Sequence, residues 1–219
     1  MSDHRIRFLQ LALSADALRF GEFTLKSGRI SPYFFNAGRF DSGSALAGLA
    51  ACYADAIEAS GIGFDLLFGP AYKGIPLATA VACTYAARGR DLPLAFNRKE
   101  AKAHGEGGSL IGAALAGRRV LIVDDVITAG TAIREALATI AAAGGIVAGI
   151  VVALDRQEVA GDSDRRSAAQ AVAAEAGVPV LAVASLADLL AFADGNDTLA
   201  RFRAPLLAYR ARYGIDSTG

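Results

Sequence analysis

The stretch Val120-Leu121-Ile122-Val123-Asp124-Asp125-Val126-Ile127-Thr128-Ala129-Gly130-Thr131-Ala132 decides the fold. Four apolar residues run straight into two carboxylates and then into a small, hydroxyl-bearing loop. A continuous aliphatic run is what a parallel strand covered on both faces requires, and ligands of open α/β sheets bind just beyond the carboxyl ends of such strands. Asp124 and Asp125 are therefore expected at a ligand site. The small side chains of residues 128–132 let backbone N–H groups close around an anion, and the helix expected to begin there adds the positive end of its dipole. Two carboxylates repel a bare phosphate, so the expected ligand also carries hydroxyls or a metal ion, as a sugar phosphate does. The competing reading is a strand, an acidic turn and a helix start in which Asp and Thr serve only as caps. A Walker A loop and a dinucleotide fingerprint are both excluded, because neither Gly-Lys-Ser/Thr nor G-x-G-x-x-G spacing is present.

Outward from this strand the chain keeps a βα rhythm. Strands are expected over residues 65–68, 93–96, 146–154 and 178–183, and helices over 45–60, 75–88, 131–143 and 168–176. Two C-terminal helices open at Ser185 and near Asp197. Ahead of the sheet, apolar spacing over 6–18 suits an amphipathic helix. Residues 20–36 read as two short strands around Lys26-Ser27-Gly28-Arg29, a lid ahead of the main domain. The expected architecture is one α/β domain over 1–219, a central mainly parallel sheet flanked by helices, with residues 1–40 as an N-terminal hood.

Composition narrows the partners. Charge balances at 22 basic and 22 acidic residues, so no global field recruits nucleic acid or an anionic membrane, and anion binding has to be local. The N-terminus lacks an apolar signal region and no long apolar run follows, so a cytoplasmic protein is expected. Cys52 and Cys83 sit among alanines in helix-like segments without metal spacing and are expected as buried thiols.

Residues 97–109 break the rhythm. They are almost devoid of apolar side chains, carry Arg98, Lys99, Lys102 and His104, and run into Gly105-Glu106-Gly107-Gly108, so an exposed, mobile loop is expected. With the turn Gly69-Pro70-Ala71-Tyr72-Lys73-Gly74 and the loop after Asp125, this makes three separated groups suited to anions. A ligand with phosphate groups at opposite ends would use all three.

The segment after Val123 closely resembles the ribose-phosphate motif of type I phosphoribosyltransferases. Phe20-Gly21-Glu22-Phe23-Thr24-Leu25-Lys26-Ser27-Gly28-Arg29, Ser31-Pro32-Tyr33-Phe34-Phe35-Asn36, Phe68-Gly69-Pro70-Ala71-Tyr72-Lys73-Gly74, Asn97-Arg98-Lys99-Glu100-Ala101-Lys102-Ala103-His104-Gly105 and Asp155-Arg156-Gln157-Glu158 together resemble the orotate phosphoribosyltransferases, over about the first three quarters of the chain. The general motif often ends in two threonines, whereas Thr131 is followed here by Ala132. The resemblance implies a type I phosphoribosyltransferase fold and transfer of the 5-phosphoribosyl group from 5-phosphoribosyl 1-pyrophosphate (PRPP) to orotate. It further implies that Lys26, Tyr72 and Lys73 contact the donor, that Asp124, Asp125, Val126, Ile127, Thr128, Ala129, Gly130, Thr131 and Ala132 hold its ribose and 5-phosphate, and that Arg98, Lys99, Lys102 and His104 form the catalytic lid. Phe34, Phe35, Thr128 and Arg156 are implied at the orotate pocket, and Lys102, Asp124 and Asp125 in the chemistry. The lid of this family closes over the neighbouring subunit's site in a homodimer. Mg²⁺ is expected to arrive on the donor's oxygens, since the sequence holds no dedicated His/Asp/Glu cage.

Two alternatives are kept. A purine-base phosphoribosyltransferase would share residues 124–132 but lack the Phe34, Phe35 and Arg156 set. A non-catalytic regulator on the same fold would show a degraded lid and a basic surface, neither of which this sequence has.

Overall fold

The computed structural model describes residues 3–25, 27–98, 110–128, 130–161 and 164–215. Its centre is a six-stranded sheet in the order β10-β7-β6-β3-β4-β5. The strands are β3 (Leu66–Gly69), β4 (Leu94–Asn97), β5 (Leu110–Gly112), β6 (Arg119–Val123), β7 (Ile146–Asp155) and β10 (Val180–Ser185). All neighbours run parallel except the edge pair β4 and β5, which is antiparallel with Asn97 opposite Leu110. Residues 99–109 lie outside the described residues.

The deciding strand shows why its apolar run is uninterrupted. Side chains alternate across a sheet, and in β6 Leu121 and Val123 enter one core while Val120 and Ile122 enter another. The first core is closed by α1 (His4–Ser14), α2 (Gly43–Ser60), α3 (Gly74–Ala87), α6 (Leu186–Asp194) and α7 (Ala200–Tyr213). The second is closed by α4 (Thr131–Ala142) and α5 (Ala168–Ala176). With both faces covered there is no solvent side to demand a polar residue.

The hood is a separate antiparallel pair, β1 (Leu18–Thr24) and β2 (Ile30–Phe35). It rests on the last helix of the chain: Phe20 stacks on Phe202 with ring centroids 5.1 Å apart, and Tyr33 meets Tyr209 edge-on at 6.2 Å. The Arg29 guanidinium lies 4.9 Å from the Tyr213 ring.

Most helices start on a side chain. Asp3, Ser42, Ser167 and Ser185 accept from the first-turn N–H groups of α1, α2, α5 and α6, the last two as complete capping boxes. Ser185→Ala is expected to cost about 1 kcal/mol of stability, read as a lower midpoint in urea unfolding. α3 and α4 have no such cap, and neither does α7.

Several expectations are corrected. The helix expected over 6–18 ends at Ser14, because Asp16 turns the chain at φ 54° and Leu18 pairs with Phe35 in the hood. Apolar spacing continues through Ala17 and Leu18, but strand pairing takes them. Cys83 is exposed, whereas Cys52 is buried. Short elements that were not anticipated include β5 and the antiparallel pair of β8 (Val159–Gly161) with β9 (Asp164–Ser167). Among the described residues no helix is long and apolar enough to cross a membrane.

Candidate active site

From β3 the chain moves to β4 on one side and then returns to β6 on the other, so β3 and β6 border the point where strand order reverses. Clefts form beyond the carboxyl ends at such a point. Past β3 come Pro70, Ala71, Tyr72 and Lys73; past β6 come Asp124 and Asp125. Lys73 Nζ donates to Asp125 Oδ2 at 2.7 Å, closing the two loops onto each other. Asn97, at the end of β4, accepts from the Ala71 N–H at 2.8 Å and ties the turn after β3 to the end of β4. The Ala71–Tyr72 peptide is cis, and Tyr72 is exposed.

The acidic pair is built from below. Tyr53, buried in α2, donates to the Asp124 carbonyl at 2.8 Å, and Asp124 Oδ1 accepts the Asp125 N–H at 2.9 Å. Both carboxylates are buried. Burial, with the Asp125 charge adding to it, pushes the Asp124 carboxyl up to about 7 against the opposing pull of the Asp125 N–H and the Lys73 ammonium. Such a pair sets two carboxylates against one ammonium, which suits a ligand rich in hydroxyls or bearing a cation.

Beside it, Val126 and Ile127 are half-buried and Thr128 is exposed. Gly130, at φ 75°, turns the chain into α4, where Thr131 and Ala132 are exposed. No side chain caps α4 or α3, so capping does not account for the acids and hydroxyls that precede α4. Two helix N-termini with uncapped N–H groups thus face the same cleft, a ready arrangement for phosphate groups.

Arg156 follows β7 at the same end of the sheet. Its Nε donates to Glu158 Oε1 at 2.7 Å, its Nη2 to Ser31 Oγ at 3.3 Å, and its Cζ lies 4.5 Å from the Tyr33 ring. The structure does not bring Phe34 and Phe35 into one wall. Residues adjacent in a strand point to opposite faces: Phe34 meets Phe23, with Arg19 over both rings, while Phe35 packs between Phe8 and Phe40. Arg98 is the last described residue after β4. Lys26, Lys99, Lys102, His104 and Ala129 lie outside the described residues.

The sequence reading gave no role to Tyr53, Asn97, Ser31, Tyr33 or Glu158. The alternation of β2 held a signal for two of them, since Ser31 and Tyr33 share a face; Tyr53 and Asn97 carried none that spacing could reveal.

On the expected role of Lys73 at PRPP, Lys73→Ala removes one charge-assisted bond to that ligand and leaves Asp125 without its ammonium. A bond of this kind contributes about 1.5–3 kcal/mol, so the donor KM is expected to rise roughly tenfold to a hundredfold with little change for the base, measured in steady-state kinetics.

Residues 40–174 match the family model described as the phosphoribosyl transferase domain. The orotate phosphoribosyltransferase of Xanthomonas euvesicatoria pv. vesicatoria (strain 85-10) is 81% identical over 219 residues, covering 100% of both chains. Among solved structures, orotate phosphoribosyltransferase of Francisella tularensis superposes with a TM-score of 0.85 at 43% identity, covering 94% of this chain and 98% of that one. The Mycobacterium tuberculosis H37Rv enzyme of the same name, in complex with PRPP, gives a TM-score of 0.62 at 26% identity, covering 84% of this chain and 98% of that one.

Proposed function

The chain belongs to the orotate phosphoribosyltransferases, and from that premise we infer that it transfers the 5-phosphoribosyl group of PRPP to orotate in pyrimidine biosynthesis, in the cleft beyond β3, β6 and β7. Neither a purine base nor a purely regulatory role is favoured by the named relatives. The observation that carries the placement is the buried Asp124–Asp125 pair beside two uncapped helix N-termini, with Lys73 bonded to Asp125.

In this reading orotate N1 forms a bond to the anomeric carbon and gives up its proton to the released pyrophosphate or to water, while the bond from that carbon to pyrophosphate breaks. Asp124 and Asp125 accept hydrogen bonds from the ribose hydroxyls and favour positive charge on the sugar. The N–H groups opening α4, with Thr128, Ala129, Gly130, Thr131 and Ala132, hold the 5-phosphate. Lys26, Tyr72 and Lys73, joined by Arg98, Lys99, Lys102 and His104, offset the charge that builds on the leaving group. Lid closure keeps water from the cationic sugar. Thr128 and Arg156 take the base, the guanidinium facing its carboxylate, and Phe34 and Phe35 contribute through the β2 backbone and from opposite sides of the strand.

Asp124 and Asp125 set two buried carboxylates against the single ammonium of Lys73. That suits Mg²⁺ brought in on the donor's oxygens, where it would neutralise negative charge on the leaving group. We further propose a cytoplasmic homodimer whose lids cross between subunits. Mixing Lys73→Ala with Lys102→Ala protomers would then restore part of the lost activity in hybrid dimers.

The deciding experiment is loss of orotate absorbance on mixing the protein with orotate, PRPP and Mg²⁺, with hypoxanthine and a metal-free sample as controls. Mg²⁺-dependent loss is expected with orotate only. Turnover of hypoxanthine, or none of either base, overturns the reading.

A further inference from the structure

Arg156 is the charged group assigned above to the orotate carboxylate, and the structure surrounds it with a set of side chains that has no part in that assignment. Glu158 Oε1 takes Nε at 2.7 Å and Nη2 at 2.6 Å, so a single oxygen bridges one edge of the guanidinium. Ser31 Oγ takes Nη2 as well, and the Tyr33 ring lies beneath. The hydrogen bonds from the guanidinium to Glu158 and Ser31 use Nε and Nη2, and the Tyr209 hydroxyl approaches the guanidinium as well. Nη1 takes no part in the bonds to Glu158 and Ser31.

Glu158 is itself fixed. Its Oε2 lies 3.6 Å from Arg29 Nη1, Tyr33 OH donates to its Oε1 at 3.5 Å, and its backbone bridges to Gly214. Between the two charged residues Gln157 stands at φ 50°, an unfavourable conformation for a residue with a side chain. Three hydrogen bonds hold it there: Gln157 N to Asp155 Oδ1, Ala187 N to Gln157 Oε1, and Ile215 N to Gln157 O, each 2.9 Å. Strain maintained by so many tethers marks a turn whose geometry matters. Its effect is to set Arg156 and Glu158, two residues apart, side by side. The hood supplies Arg29, Ser31 and Tyr33, and the residues after α7 supply the tether to Gly214.

We propose that Glu158 is a positioning residue for the base site: it holds the Nε edge of the Arg156 guanidinium so that the Nη1 edge meets the carboxylate of orotate. This rests on Arg156 as the carboxylate partner. A guanidinium is a planar fork, and its bond to a carboxylate depends on orientation as much as on charge. Without Glu158 the fork rotates toward Ser31 and Tyr33, and the same charge is presented at the wrong angle.

The test is a steady-state comparison of Glu158→Ala, Glu158→Asp and Glu158→Gln with Arg156→Ala as reference. Misplacing a binding group by about 1 Å can cost on the order of a hundredfold. Glu158→Ala and Glu158→Asp are expected to raise the orotate KM roughly tenfold to a hundredfold and to leave the PRPP KM unchanged. Glu158→Gln keeps an acceptor oxygen at the same reach and restores most of the loss. Glu158→Asp retains the charge beside Arg156, so it keeps the test open if Glu158→Ala does not fold. An orotate KM that falls means Glu158 competes with substrate for the guanidinium, and equal rises in both KM values mean a general structural role; each overturns the proposal. An unchanged orotate KM in Glu158→Asp, with a raised one in Arg156→Ala, also overturns it. An unchanged orotate KM in Arg156→Ala instead removes the reading on which the proposal rests.

Discussion

Asp124→Asn is expected to lower turnover by roughly 10²–10³, the scale for losing one preorganised electrostatic group, and at the same time to make the ligand-free protein more stable at pH 8. The two effects share a cause. The carboxyl sits in a buried position that disfavours its charge, with a pKa of about 7 against an ordinary 3.8. In the unfolded chain the group gives up its proton near pH 4, while in the folded chain it keeps it until near pH 7. The native state therefore binds more protons across that window, and stability falls as pH rises through it. The penalty is absent below about pH 4 and complete above about pH 7. Three units correspond to about 4 kcal/mol at 1.36 kcal/mol each, and relaxation around the charge reduces the recoverable part to about 2 kcal/mol. Asparagine retains an oxygen for the Asp125 N–H but carries no charge. Urea unfolding of both proteins should show a gap in favour of the variant at pH 8 that closes by pH 4. A gap independent of pH would show that the gain does not come from this carboxyl. The same substitution removes the negative charge that a developing positive sugar requires, so the stability gain accompanies a loss of rate.

Gly74→Ala is expected to cost more than about 3 kcal/mol, or to prevent folding. Gly74 is the first residue of α3, and a Cβ there would stand 2.5 Å from Pro70 Cδ and 2.8 Å from the Val123 carbonyl oxygen. At Gly69 a Cβ would meet the Gly74 carbonyl oxygen at 2.4 Å. These obstacles are backbone and a proline ring, which cannot rotate aside. The start of α3 is thus pressed against the ends of both β3 and β6, and any relief displaces Lys73 from Asp125. Protein that does fold should show a donor KM raised by tenfold or more, since one misplaced charge-assisted bond accounts for that much. Gly43→Ala serves as the control. It is the first residue of α2, a Cβ there meets nothing within 4 Å, and its expected effect is neutral to a gain of about 0.5 kcal/mol. Thermal unfolding compares the two, and a Gly74→Ala midpoint within a degree of the parent would show that the loops yield where they look rigid.

How much of this was legible follows from which forces are local. The strand over 119–123 announced itself because burial on both faces leaves a continuous apolar run, and the helix stop at Gly61 because its φ of 70° suits a residue without a side chain. The acids after Val123 were visible as chemistry out of place in a strand exit. What stayed hidden depended on contacts made at a distance. Residues 15–18 keep the spacing of the preceding helix, and only Phe35 shows that Leu18 belongs to a strand. Phe34 and Phe35 read as one aromatic wall until the pleat sends them to opposite faces. Cys83 follows the alanine-rich pattern of a buried helix face but lies on the outer side of α3. Tyr53 looked like any core aromatic at helical spacing, and its hydroxyl acquires meaning only when β6 brings the Asp124 carbonyl to it.

The pairing of the hood with the last helix has a consequence for the order in which the protein matures. The proposed donor loops after β3 and β6 come from the middle of the chain and need only neighbouring βα units to take shape. The proposed base site has to wait. Phe20, Arg29 and Tyr33 are synthesised early, yet their partners Phe202, Tyr213 and Tyr209 come almost two hundred residues later. Contacts so far apart in sequence are the slow ones to close, and a growing chain folds from its N-terminal side as it emerges. A nascent chain would therefore have the means to grip phosphate before it can choose a base, with selectivity arriving as the closing event of its assembly.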